Sequence, residues 1–198
     1  MQKVSFTKME EGTAKEYAFL DELELQYKSE LADRLIDALT KLNGSLSGYQ
    51  ISRLDHSLQG ATRAHRAGEP LEIVMAVLFH DIGDELATYS HSEMAAAILR
   101  PFVSEKVYWI VKHHGVFQMY YYAHHCGGDR NARDQFQSNI WYEDAVRFCH
   151  IYDQNCFDPS YDNEGLDFFI PMINKFFSKP KSDDKEEVAR YGNNKLSD

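Results

Sequence analysis

Leu71-Glu72-Ile73-Val74-Met75-Ala76-Val77-Leu78-Phe79-His80-Asp81-Ile82-Gly83 is the stretch that decides how this chain folds. Leu71–Phe79 is apolar almost all round and far too short to cross a bilayer. It reads as a helix, Leu71–His80, buried at the centre of a helical domain. Pro70 stands at a favoured first-turn position, and Gly83 breaks the chain just after the run. His80 and Asp81 therefore sit at the end of a buried helix. Two ionisable groups in an apolar setting need compensation, which a metal ion supplies.

Working outward, the rest also reads as helix. Thr13 with Glu16 is a capping-box signature, followed by Phe19, Leu20, Leu23 and Tyr27 at helical spacing. Ser29–Leu42 places Leu31, Leu35, Ile36, Leu39 and Leu42 on one face, and Asn43-Gly44-Ser45 stops it. Leu54, Leu58, Ala61 and Ala64 mark a third helix ending near Gly68. Ser90 caps His91–Arg100, and another helix runs from about Glu105 to His114. Residues 117–139 read as short helices and loop over a pocket. Ile140–Cys156 and Leu166–Phe177 close the domain. No segment alternates as a strand does. The division expected is N-terminal helices over 1–45, a bundle over 46–177, and a polar tail over 178–198 that reads as disordered.

Hydrophobic content of 43% and charged content of 26% suit a soluble globular protein. A net charge of -10 repels a nucleic-acid backbone. No apolar run is long enough for a membrane span, and no signal-peptide core follows the N-terminus. Cys126, Cys149 and Cys156 have no metal-finger spacing and read as free thiols in a cytoplasm. A monomer or weak homo-oligomer acting on a small molecule is expected, with neither nucleic acid nor membrane as partner.

Histidines and aspartates flank the central pair. His56 lies upstream. Downstream are His91, one of His113 and His114, and an Asp on the late helix. Imidazole and carboxylate together suit iron, manganese or zinc rather than a thiolate site or calcium. Facing helices of a bundle project such ligands inward. Asp81 is the natural bridge between two cations, and Asp55, Asp84 and Glu93 are available to hold the far nitrogens of the imidazoles. Asp153 is preferred to Asp144 and Asp158 because Phe148, Cys149 and Tyr152 place that part of the helix in the core. His65 and His125 read as surface or satisfied core residues, and His91 has the competing reading of a helix-start residue.

These residues resemble the HD-domain superfamily, with its His…His-Asp…Asp signature. More narrowly, they resemble its mixed-valent diiron oxygenases, which cleave inositol or 1-hydroxyphosphonates. The matching stretches are Leu54-Asp55-His56-Ser57-Leu58-Gln59-Gly60-Ala61, Ala76–Gly83, His91-Ser92-Glu93, Val103–Val107 leading to His114, and Asp153. Gln59 three residues after the histidine sets this group apart from hydrolytic HD enzymes. The resemblance implies an all-α single-domain bundle with a dinuclear centre. One iron would be held by His56, His80, Asp81 and Asp153, the other by Asp81, His91 and His114. It makes Asp81, Gln59 and Asp84 the candidate catalytic residues and a mixed-valent Fe(II)/Fe(III) pair the cofactor, with manganese or another divalent metal as the alternative.

The departures matter as much. The phosphonate oxygenases' gating Tyr and Glu fall on Leu46 and Tyr49, and their phosphonate-binding Lys and Arg on Gln118 and His150. The Lys after the His-Asp motif of the inositol enzymes falls on Asp84. Candidate substrate contacts are Tyr49, Gln118, Tyr120, His150 and Arg130. Arg130 and Arg133 could charge a pocket lid, against the alternative of a solvated run with Asp129 and Asp134. Tyr120–Tyr122 could line a site or close over a quaternary amine, against that of core tyrosines with wet tips. The expected activity is an oxygenase that uses O2 to cleave a C–C or C–P bond of a small hydroxylated substrate. A metal-dependent phosphohydrolase is the alternative, and a sensing module without turnover is a third.

Overall fold

The computed structural model describes residues 2–181. Their secondary structure is eight α-helices with no strand among the described residues: α1 (Ala14–Ser29), α2 (Leu31–Lys41), α3 (Arg53–Arg66), α4 (Leu71–Phe79), α5 (His91–Leu99), α6 (Glu105–Tyr122), α7 (Tyr142–Tyr152) and α8 (Leu166–Phe177). Short 3-10 turns lie at Met9–Glu11, Leu42–Gly44, Ala123–Cys126 and Ala132–Phe136. The all-α expectation holds.

The apolar run at 71–79 makes α4 the centre. Val74–Phe79 are buried, and α3, α5, α6 and α8 pack around them. Phe79 meets Phe177 of α8 edge-on with centroids 5.1 Å apart. α2 lays Leu35 and Leu39 inward, followed by Leu42, and packs on α8. By contrast α1 buries nothing. Its capping box at Thr13 and Glu16 forms as the spacing predicts, yet Leu23 and Tyr27 are exposed, so the apolar face expected there is not an inner face.

α3 carries the first site histidine. Ser52 caps it, and Asp55 returns a bond to the Ser52 N–H. Gly68 ends it with φ +74°, a left-handed turn that favours glycine. His56–Thr62 and Ala64 are buried. At Gly60 the helix touches α7 and α4 directly: a Cβ there would collide with the Tyr152 carbonyl and approach Val77 Cγ1 to 2.7 Å. Gly60→Ala should therefore destabilise the protein by about 1–3 kcal/mol, despite alanine's better helix propensity. Urea denaturation checks this, and an unchanged midpoint would contradict the packing.

Three boundaries differ from expectation. α6 continues through Gly115 for two further turns to Tyr122. A side chain at Gly115 would approach Ser92 Oγ to 2.9 Å, so the glycine serves a helix contact and is not a breaker. α7 stops at Tyr152, and Asp153 is its C-cap at φ -125°, ψ -73°, outside helical geometry. The tail does not leave the body at 178: the Lys181 N–H donates to Pro101 O at 2.7 Å, and its ammonium meets Glu72 at 2.7 Å. The disorder expected for 182–198 lies outside the described residues.

Candidate metal centre

Five segments deliver six side chains to one point. α3 supplies His56, the end of α4 supplies His80 and Asp81, the first turn of α5 supplies His91, α6 supplies His114, and Asp153 caps α7. All are buried except His91, whose side chain is 27% exposed. Gly83 makes the tight return possible, because a Cβ there would lie 2.6 Å from His91 O.

Backbone carbonyls select the histidine tautomers. His56 Nδ1 faces Cys156 O at 3.0 Å, His80 Nδ1 faces Val77 O at 2.7 Å, and His114 Nδ1 faces Val111 O at 2.7 Å. A carbonyl only accepts, so each Nδ1 carries the hydrogen and each neutral ring turns a bare Nε2 lone pair inward. The lone pairs converge on carboxylates and on each other. His56 Nε2 lies 3.2 Å from His80 Nε2 and 3.4 Å from Asp153 Oδ1. Asp153 Oδ2 is buried without a hydrogen-bond partner. The N/O composition of this donor set fits iron, manganese or zinc.

Asp81 divides the donors in two. Its Oδ2 lies 3.6 Å from His56 Nε2 and 3.4 Å from His80 Nε2. Its Oδ1 lies 3.6 Å from His91 Nε2 and 3.3 Å from His114 Nε2. Three overlapping donor groups, each within 4.8 Å, could hold a metal: His56–His80–Asp81, His80–His114–Asp153 and Asp81–His91–His114.

Electrostatics agree with a cation-seeking site. Burial opposes a charge on His80, but the Asp81 and Asp153 carboxylates overcome it and lift its pKa to about 9. Burial likewise opposes ionising Asp81 and Asp153, yet the imidazoles (and Arg53 beside Asp81) hold both below the usual carboxylate range. Burial and the neighbouring His114 lower the pKa of His91. Protons thus take the place of metal on His80, and cations must displace them.

Above the donors opens a cavity of about 260 Å³. Asp81, His91, His114 and Asp153 form its floor, with Arg53, Gln118 and an aromatic wall of Tyr49, Tyr121, Tyr122 and Phe157 around it. Phe157 stacks between His56 (4.3 Å) and Tyr49 (4.9 Å).

Residues 53–142 match the family model of the HD domain. The match contains His56, His80, Asp81, His91 and His114 at the positions just described. This chain carries an HD domain. Its bundle is the helical fold of that family, and the Asp153 donor lies just beyond the matched range. The chain is also similar to the [1-hydroxy-2-(trimethylamino)ethyl]phosphonate dioxygenase (glycine-betaine-forming) of Leisingera caerulea, with 31% identity over 84 residues. That stretch is 37% of this chain and 43% of the relative, so it spans less than half of either protein.

Within the HD domain the other expected residues fall into place unevenly. Asp84 supports the centre: its Oδ1 faces His91 Nδ1 at 3.5 Å and its Oδ2 accepts from Arg53 Nε at 2.7 Å. Asp55 does not, being spent on the Ser52 cap, and Glu93 is exposed. Gln59, expected to be catalytic, is buried away from the cavity. Its amide donates to Asp158 O at 2.8 Å and accepts from Asp158 N at 3.2 Å, clamping the segment that carries Phe157. Gln118 reaches the cavity and donates to Asp153 Oδ1 at 2.8 Å. Tyr120 does not line the cavity: Arg133 lies 3.6 Å and Arg130 4.3 Å over its ring, which removes both arginines and Tyr120 from the site. His150 stands behind Tyr121, with Nδ1 3.3 Å from its hydroxyl.

His113 turns away, bonded to Trp109 O at 2.8 Å, so His114 is the inward neighbour. Asp144 pairs with Lys106, and Asp158 accepts from Ser160. His65 packs on Phe168 and His125 on His124, both outside the centre. Cys149 and Cys156 are buried free thiols and Cys126 is exposed; none joins the donors. No helix among the described residues is long and apolar enough to cross a membrane. The residue missed in sequence is Arg53. Its spacing from His56, three residues on one helix face, was the available signal.

Proposed function

We propose that this chain is a dinuclear non-haem iron oxygenase that cleaves a C–C or C–P bond of a small hydroxylated substrate with O2. The observation that carries the reading is the division of Asp81, with Oδ2 toward His56 and His80 and Oδ1 toward His91 and His114. His56, His80, Asp81 and Asp153 would hold one iron, and Asp81, His91 and His114 the other. When bound, such a pair supplies the redox chemistry that side chains lack. The protein's own residues do the rest. Asp81 keeps the two sites side by side, and Asp84 orients His91. Tyr49, Tyr121, Tyr122 and Phe157 exclude water from the reacting carbon. Gln118 spends its N–H on Asp153 Oδ1 and so holds that carboxylate at the edge of the cavity. The similarity to a phosphonate dioxygenase supports the same direction.

One observation favours hydrolysis instead. His56, His80, Asp81 and Asp153 are all buried and would hold one metal without the more exposed His91, and one metal suffices to activate water. Iron-loaded protein should carry about two irons per chain and show a mixed-valent paramagnetic signal after partial reduction, with O2 uptake on a polyol, hydroxy acid or hydroxyphosphonate. His114→Ala should lose one metal and that uptake, while His113→Ala keeps both. Phosphate release without O2 uptake would establish the hydrolytic reading in its place.

A further inference from the structure

Arg53 is the one cation among the residues lining the cavity. Its Nε and Nη2 are committed: Nε to Asp84 Oδ2 at 2.7 Å, and Nη2 to Asp84 Oδ2 at 2.5 Å and Asp81 Oδ2 at 3.0 Å. Nη1 makes no hydrogen bond to a described residue, and it is not among the sealed, unpartnered atoms of the interior. One edge of the guanidinium is therefore fixed by carboxylates, while Nη1 is left without a partner on a residue that lines the cavity. Its side chain is only 13% exposed, so a partner there would be held out of bulk water.

We propose that Arg53 anchors a compact oxyanion, a carboxylate or phosphonate, borne by the hydroxylated substrate. The inference rests on the cavity being the substrate site. Without metal, Asp81, Asp84 and Asp153 outweigh Arg53, and the cavity repels anions. Two cations of combined charge four or more reverse that balance. They also draw on the Asp81 charge that faces Arg53, leaving the guanidinium short of a counter-ion. An oxyanion at Nη1 restores it with charge-assisted hydrogen bonds. The substrate's hydroxyl would then lie toward the metals. This position differs from Gln118 and His150, where the sequence comparison sought the cationic contacts, and neither of those is a cation donor in the cavity.

The test is anaerobic calorimetry on metal-loaded protein, with lactate as the carboxylate probe and hydroxymethylphosphonate as the phosphonate probe. Wild type should bind at least one of them, the tighter probe naming the acid, and binding should vanish on metal removal. Arg53→Met with its metal content intact should bind that probe about tenfold or more weakly, as expected for losing a charge-assisted bond, and Arg53→Lys should recover part of it. If Arg53→Met loses metal, Arg53→Lys carries the comparison, because it keeps the charge beside Asp81 and Asp84 but loses the second edge. A loss of about threefold or more is then expected. Affinity within twofold of wild type in the metal-loaded variant, or no binding of either probe to wild type, overturns the anchor. O2 uptake with a neutral polyol but with neither acid overturns the anchor and leaves the oxygenase. Arg53-dependent anion binding without any O2 uptake does the opposite.

Discussion

Asp81→Asn is expected to empty both halves of the metal centre at once. Its two oxygens face different imidazole pairs: Oδ2 faces His56 and His80, and Oδ1 faces His91 and His114. An asparagine keeps the shape but presents one oxygen and one amide N–H. The N–H would point at imidazole lone pairs and cannot ligate a cation. It also removes one of the negative charges that draw metal into a buried site. Supporting residues around metal sites typically contribute 10–100-fold to affinity, so losing the shared ligand should cost at least about a hundredfold in affinity and, under the proposed oxygenase function, reduce O2 uptake to background. The fold should persist, because Arg53 keeps its bonds to Asp84. Elemental analysis beside circular dichroism checks both points. Asp81→Asn protein that still holds two irons would contradict the bridge, and the contrast with His114→Ala, losing one, separates shared from single-site ligands.

Chelation should lower the melting temperature by roughly 8–16 °C at pH 8. Binding at about a thousand times the dissociation constant stabilises by roughly 4 kcal/mol, and each kcal/mol moves a domain of this size by about 2–4 °C. The increment should depend on pH in a defined direction. In metal-free protein the pKa of His80 is raised to about 9 from 6.5. Its contribution to stability is fully present below pH 6.5 and lost as the pH rises through 9. Asp81 and Asp153 are depressed, so their contribution is present above the ordinary carboxylate range and lost as the pH falls through their lowered values. Metal requires neutral His80 and so works against the proton. The gap between metal-loaded and chelated melting temperatures should widen from pH 6 to pH 9. Scanning calorimetry across that interval measures it, and a gap that narrows with pH would show that His80 is not a ligand.

Much of the donor set was legible from residue order. His80 and Asp81 follow an apolar run that must be buried, so their polarity demands a purpose. His114 over His113 needed the family resemblance, and the structure supplies the physical reason: His113 is turned onto Trp109 and Phe136. The substrate side was read less well. Tyr120 and Arg130 looked available because sequence does not reveal that arginines cover the Tyr120 ring. Gln59 looked catalytic because the family resemblance marks a glutamine three residues after the first histidine. There the chain returning at Asp158 claims both ends of its amide.

Local sequence was enough for the helices, the central place of α4 and the donor residue types, because periodicity, caps and the need to compensate buried charge are properties of short segments. Which oxygen of Asp81 faces which imidazole, the burial of Arg53 beside it and the aromatic wall were settled only by folding. Those features depend on residues far apart in the chain, such as Arg53 with Asp84 and His56 with Cys156, meeting at distances that no local pattern encodes.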